Sequence, residues 1–159
     1  MIDDRKSFIV GLKSNKLLIK EKKFLIKHKP WGIILFSRNI KNITQVKKLT
    51  DEIRKIFNDK KYPILIDQEG GRVNRLRKFF NADKLTGEFF GNLYLKDKKK
   101  FYTEYKKFID ETALLLKSLG ININTLPVLD VRSKGSSSII GDRAFSTNAK
   151  IVSQIGDIC

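Results

Sequence analysis

Short apolar runs alternate with longer segments of helical spacing in the first part of the chain. The apolar runs cover residues 7–12, 31–36 and 63–66, and such continuous runs are typical of parallel strands that are covered on both faces. Residues 16–28 and 42–58 instead place apolar side chains at the three- and four-residue intervals of an amphipathic helix. Asn42 and Thr44, at the start of the second segment, are residue types that cap helices. The pattern predicts the order βαβαβ.

The second part of the chain is less regular. Periodicity fades over residues 68–100, where several glycines interrupt the chain, and a long connection of this kind predicts a functional loop. Helical spacing returns over residues 101–119, and Gly120 stands where a helix C-cap is expected. Residues 121–126 predict a fourth strand, a Gly- and Ser-rich loop follows it, and another helix begins near Asn148.

Alternating strands and helices indicate an α/β fold with parallel strands. The pattern fits either an open doubly wound sheet or part of a (β/α)8 TIM barrel, and periodicity alone does not separate the two. No glycine-rich phosphate-binding motif follows a strand, which disfavours a nucleotide-binding fold. Because 159 residues contain no linker or internal repeat, we expect one domain over residues 1–159.

Composition excludes several classes of function. No apolar run approaches the ~20 residues of a membrane-spanning helix, and the first residues do not resemble a secretory signal, so we expect a cytoplasmic protein. Cys159 is the only cysteine, which leaves no intrachain disulfide and no cysteine-based metal site. We therefore expect neither a metal nor another cofactor.

The formal net charge is +16, which raises the question of an anionic partner such as nucleic acid or a membrane surface. The lysines are scattered through every segment, and no nucleic-acid-binding motif accompanies them. This distribution favours a lysine-rich solvated surface, and we predict no nucleic-acid or membrane partner.

Candidate chemistry begins where the third predicted strand ends. Asp67 lies at its carboxyl end, where parallel α/β folds bind their ligands, and a carboxylate there can accept hydrogen bonds from two sugar hydroxyls. A carboxylate that caps the following turn or pairs with an arginine would have the same spacing. Arg75, with Arg72 and Arg77 beside it, can face a ligand or the solvent. Arg143 follows a later strand and can either reach the same site or pair with Asp142 or Asp130.

Four segments together resemble one known family. They are Gly32–Asn39 (GIILFSRN), Asp67–Leu76 (DQEGGRVNRL), Asn124–Val131 (NTLPVLDV) and Ile140–Phe145 (IGDRAF). Their order and spacing resemble the bacterial β-N-acetylglucosaminidases of glycoside hydrolase family 3, and the DQEGGRV-x-R block is the most specific of them. One departure is Ser146, since relatives tend to have glycine after the phenylalanine.

The resemblance implies a (β/α)8 TIM barrel, of which a chain of this length covers about the first four βα units. It also implies that Asp67, Arg75 and Arg143 contact N-acetylglucosamine, and that the substrates are muropeptides of peptidoglycan recycling. The implied mechanism is retaining, with an aspartate nucleophile and a histidine acid/base. In the family both catalytic groups follow the segment that ends at Cys159, so no catalytic residue is assigned here. A noncatalytic sugar-binding half-barrel is the alternative.

Overall fold

The computed structural model describes residues 4–133, 135 and 137–159. The chain folds into two compact units. The first comprises Met1–Asp67 with Leu114–Asn124, and the second comprises Gln68–Ala113 with Thr125–Cys159. No helix in the described ranges combines the length and the apolar character needed to cross a membrane.

A four-stranded parallel sheet lies in the first unit, and its strands follow the chain order. The strands are β1 (Lys6–Gly11), β2 (Pro30–Leu35), β3 (Ile64–Ile66) and β4 (Ile123–Asn124). Ile33 of β2 is in register with Ile64 of β3, and both side chains are fully buried. Burial of both central strands explains why their sequences are continuous apolar runs rather than alternating ones.

Two helices connect the strands of the first unit, α1 (Ile19–His28) and α2 (Ile43–Phe57). Asn42 caps α2, because its side chain accepts a hydrogen bond from the Gln45 amide at 2.9 Å. The predicted cap at Asn42 is therefore confirmed.

The buried Tyr62 hydroxyl donates to the Pro30 carbonyl at 2.8 Å, and burial raises the pKa of this phenol.

The second unit is built around aromatic side chains. It contains α3 (Gly87–Lys96), residues 98–113 of α4 (Lys98–Ser118) and α5 (Ala149–Gly156). Its core joins the rings of Phe90, Tyr94, Phe101, Tyr105, Phe108 and Phe145 with aliphatic side chains of α5. Many of these rings meet edge to face, an arrangement that contributes ~0.5–1.5 kcal/mol per pair beyond area burial.

The predicted parallel α/β arrangement is confirmed, but one element prediction was wrong. The loop predicted over residues 68–100 contains α3, and α4 begins at Lys98 rather than at residue 101. The fourth strand is only Ile123–Asn124, shorter than the predicted 121–126. Gly87 and Gly91 have no side chain to contribute to the apolar pattern of α3, and they weaken its sequence signal.

Candidate functional site

Asp67 immediately follows the last residue of β3 and is half-buried. It therefore stands at the carboxyl end of a parallel strand, as the sequence predicted. The DQEGGRVNRL segment continues from it into the second unit, where Gly70 and Val73 form an isolated antiparallel bridge. Arg75 lies in the turns that follow this bridge and is half-buried.

Glu69 and Arg143 form a bidentate ion pair within the second unit. The Nε and Nη2 atoms of Arg143 each donate to a separate carboxylate oxygen of Glu69, both at 2.8 Å. The Glu69 side chain is only 8% exposed and that of Arg143 24%. An ion pair of Arg143 with a carboxylate was one of the two alternatives left open by the sequence, and Glu69 is a carboxylate partner that the sequence did not indicate.

Arg72 holds the loop that carries Arg143. Its Nη2 donates to the carbonyl oxygens of Ser138 at 3.0 Å and Ile140 at 2.9 Å, and it also contacts that of Ile139. Its Nε lies 3.2 Å from a carboxylate oxygen of Asp142. Arg72 is thus a structural partner of the later loop, a role that the sequence did not predict.

Helix α3 is the platform on which this loop rests. A Cβ atom at Gly87 would lie 2.0 Å from the Arg143 carbonyl oxygen, and one at Gly91 would lie 1.7 Å from that of Phe145. No side chain fits at either position. The two glycines are four residues apart on one face of α3, so they let the loop backbone lie directly on the helix.

The glycines of the DQEGGRV block dock on the residues that precede α3. Gly70 and Gly71 both have positive φ values, +91° and +54°. A Cβ atom at Gly70 would lie 2.2 Å from the Leu85 carbonyl oxygen, and one at Gly71 would lie 2.7 Å from Cγ2 of Thr86. Both the conformation and the close approach therefore require glycine at Gly70.

A buried polar network shapes the rest of the block. The side chain of Gln68 is fully buried, donates to Oδ1 of Asn74 at 2.9 Å and accepts from the Leu76 amide at 3.0 Å. Asn74 in turn donates to Asp83 at 3.1 Å, and Arg77 donates to the same oxygen at 2.9 Å. These two hydrogen bonds lower the pKa of Asp83, and the one from Asn74 has the larger effect.

The roles of Gln68 and Asn74 were not predicted from the sequence. Their only sequence signal was a dense run of polar residues around two glycines, which marks the segment as unusual. It does not reveal which side chains point inward.

A small cavity in the second unit is lined in part by residues of both ion pairs. Glu69, Arg143, Tyr105 and Phe145 are among its lining residues, and Arg75 is not. Its volume is ≈ 10 Å³, about the room that one water molecule requires. Within the ranges that the structure describes, no three His, Cys, Asp or Glu side chains are grouped so that they could hold a metal ion.

The structure thus places the three predicted binding residues on three segments. Asp67 belongs to the first unit, while Arg75 and Arg143 belong to the second. Glu69 holds the side chain of Arg143, and α3 supports its backbone.

Comparison with known proteins places this chain in a family. Residues 9–158 match the family model described as the glycosyl hydrolase family 3 N terminal domain. The chain is 34% identical over 148 residues to the beta-hexosaminidase of Hydrogenovibrio crunogenus, covering 93% of this chain and 41% of that protein. It is 35% identical over 130 residues to beta-hexosaminidase A of Pseudoalteromonas piscicida, covering 79% and 21%. The chain therefore spans less than half the length of these curated relatives.

Solved structures give the same result for the fold. NagZ from Neisseria gonorrhoeae, in complex with N-trifluoroacetyl-D-glucosamine, superposes with a TM-score of 0.86 at 30% identity, over 98% of this chain and 45% of that one. A family 3 β-N-acetylglucosaminidase from Paenibacillus superposes with a TM-score of 0.79 at 26% identity, over 99% and 29%. The parallel strand order and these likenesses confirm the predicted fold, the first half of a (β/α)8 barrel. The chain belongs to glycosyl hydrolase family 3, and its residues 9–158 match the N-terminal domain of that family.

Proposed function

We propose that this chain supplies the sugar-holding part of a glycoside hydrolase that removes terminal β-linked N-acetylglucosamine. Asp67, Arg75 and Arg143 are the proposed sugar contacts. The Asp67 carboxylate would accept hydrogen bonds from sugar hydroxyls, while the two guanidinium groups would donate to sugar oxygens or to the acetamido carbonyl.

One observation carries this proposal. The DQEGGRV-x-R block leaves Asp67 at the carboxyl end of β3, in a domain that resembles NagZ bound to a glucosamine derivative. Ligands of such folds bind at the carboxyl ends of the strands. The relatives named beta-hexosaminidase support the same class of substrate.

The finer parts of the proposal rest on the family resemblance. We propose muropeptides of peptidoglycan recycling as the substrates, the cytoplasm as the location and a retaining reaction as the mechanism. In a retaining reaction a nucleophile attacks the anomeric carbon while an acid/base protonates the leaving oxygen. The resemblance assigns both groups to segments of family members that this chain does not span.

The test of the proposal is calorimetric titration with N-acetylglucosamine. We expect Asp67→Ala to weaken binding by about 2 kcal/mol or more, because each hydrogen bond to a charged group contributes roughly 1.5–3 kcal/mol. The midpoint of thermal unfolding is measured for both proteins, so that a loss of affinity can be separated from a loss of stability. Asp110→Ala is the matched control, because this aspartate is on the exposed surface of α4. Equal affinities for wild type and Asp67→Ala would refute the assignment.

A further inference from the structure

Two ion pairs of opposite polarity join the DQEGGRV block to the loop that carries Arg143. In one pair, Glu69 of the block supplies the negative charge and Arg143 of the loop the positive charge. In the other, Arg72 of the block is positive and Asp142 of the loop is negative. A shift of the loop by one residue would place like charges together, so the two pairs together define a single register of the loop against the block.

The bidentate pair also fixes the orientation of the Arg143 guanidinium. Two parallel hydrogen bonds to one carboxylate hold the guanidinium plane as well as its position, which a single contact to a lysine could not do. The pair occupies the Nε and Nη2 edge, so Nη1 lies outside it. Because Glu69 is almost fully buried, solvent competes little for these hydrogen bonds.

The backbone of the loop is fixed separately. Arg72 holds the carbonyl groups of residues 138–140, and Gly87 and Gly91 admit the backbone of residues 143–145 against α3. Arg72 is 46% exposed and Asp142 41%, and ion pairs with this exposure add little to folding stability. The main effect of this exposed pair is therefore on the placement of the loop.

We propose that Glu69 and Arg72 are positioning residues, which hold the Arg143 guanidinium in the orientation that receives the sugar. Glu69 sets the side chain and Arg72 sets the loop. Neither residue needs to touch the ligand. The inference rests on the proposed function only where it assigns the sugar to Arg143, since the restraint of the guanidinium is a property of the protein without ligand.

The first arm of the test follows the Nε–H group of Arg143 by NMR in the ligand-free chain, with the signal assigned by its loss in Arg143→Lys. We expect slow hydrogen exchange in the wild type, because the Nε–H donates to buried Glu69. In Glu69→Gln the exchange should become fast, since an amide cannot accept both hydrogen bonds of the fork. Arg132 is the internal reference, because its exposed pair with Glu88 uses Nη1.

The second arm measures the affinity for N-acetylglucosamine by calorimetric titration. We expect Glu69→Gln to weaken binding about tenfold, near the lower end of the effect of one lost charge-assisted hydrogen bond. Glu88→Gln is the matched control, because Glu88 of α3 also forms an ion pair with an arginine at 2.8 Å. That pair, with Arg132, is exposed. The control should bind like the wild type.

The outcomes separate this inference from the proposed function. If the Nε–H of Arg143 in the wild type exchanges as fast as that of Arg132, the positioning role is overturned, whether or not the variants fold. A Glu69→Gln variant that binds sugar like the wild type overturns it as well. If the wild type binds no sugar, the proposed function fails, and the exchange measurement still decides whether Glu69 restrains the guanidinium.

Discussion

Several polar side chains of the DQEGGRVNRL segment serve the protein interior. Gln68 and Asn74 are buried, and each satisfies the other through a side-chain hydrogen bond. Arg77 donates to the Gly71 carbonyl at 3.2 Å as well as to Asp83. Residues 68–76 form no helix or strand, so these side-chain hydrogen bonds contribute to holding the segment in one conformation.

Gln68→Glu should destabilise the fold although it preserves the size of the side chain. The new carboxylate cannot donate to Asn74 Oδ1, so a buried acceptor loses its partner and a charge is buried. We expect a loss of about 2 kcal/mol in the free energy of unfolding, measured by chemical denaturation. Gln154→Glu is the control, since the Gln154 side-chain oxygen accepts from Tyr94 and a carboxylate still can. Equal stabilities for Gln68→Glu and wild type would show that the network contributes nothing.

Asp83 should make folding stability depend on pH. Its pKa is lowered in the folded state by the hydrogen bonds of Asn74 and Arg77, so its contribution is present above the pKa of the unfolded chain. The contribution is lost as the pH falls through the lowered folded-state value. The difference in thermal midpoint between wild type and Asp83→Asn should therefore be largest near neutral pH and shrink under acidic conditions. A difference that stays constant with pH would contradict the assignment.

At the scale of elements, α3 organises the candidate site of the second unit. Its glycine face carries the backbone of residues 143–145, and the residues before it receive the Gly-Gly turn of the DQEGGRV block. Thr86 is the N-cap of this helix, because its hydroxyl accepts a hydrogen bond from the Phe89 amide at 3.0 Å. One short helix thus supports both loops that carry the ion pairs.

Gly91→Ala should be destabilising even though alanine is the better helix former by ~1 kcal/mol. The added methyl group would meet the Phe145 carbonyl oxygen, and this backbone atom cannot rotate away as a side chain could. We expect a net loss of about 2 kcal/mol in unfolding free energy, in the range of overpacked cores. Asn92→Ala, at the adjacent exposed position of α3, should instead be neutral or slightly stabilising. Equal behaviour of the two variants in thermal denaturation would refute the close approach.

At the scale of the whole molecule, length and charge decide what the chain can do. It spans less than half the length of its curated relatives, and the four parallel strands found in its described residues are half the number in a closed barrel. The charge of +16 is distributed over both units, and several lysines pair with carboxylates four residues along the same helix. A lysine-rich solvated surface stays the prediction from this distribution.

The 159-residue chain assayed alone is predicted not to hydrolyse β-N-acetylglucosaminides. Retaining hydrolysis requires a nucleophile and an acid/base on either side of the scissile bond, and the resemblance assigns neither to the residues of this chain. The assay is nitrophenol release from 4-nitrophenyl N-acetyl-β-glucosaminide. The Asp67→Ala chain, purified in parallel, controls for a contaminating host enzyme. Turnover by the chain that disappears in this variant would contradict the placement of the catalytic groups.

The sequence by itself determined most of the first unit and the position of Asp67 at the end of a strand. Burial on both faces gives parallel strands continuous apolar runs, and burial on one face gives α2 its spacing, so both elements are readable locally. The same is true of Asp67, because the end of a strand is also the end of its apolar run. The family could likewise be identified from motifs in the order of the chain.

Only the tertiary structure decided α3 and the ion pairs. Glycine is required at Gly87 and Gly91 because carbonyl groups of a distant segment lie against the helix there. A requirement of this kind produces no pattern of hydrophobic residues in the sequence of the helix. The partner of Arg143 was equally hidden. Nearby carboxylates of its own loop were as plausible by charge as Glu69, which lies 74 residues earlier. Which carboxylate approaches a guanidinium depends on how the chain packs, because Coulomb attraction acts through space and not along the sequence.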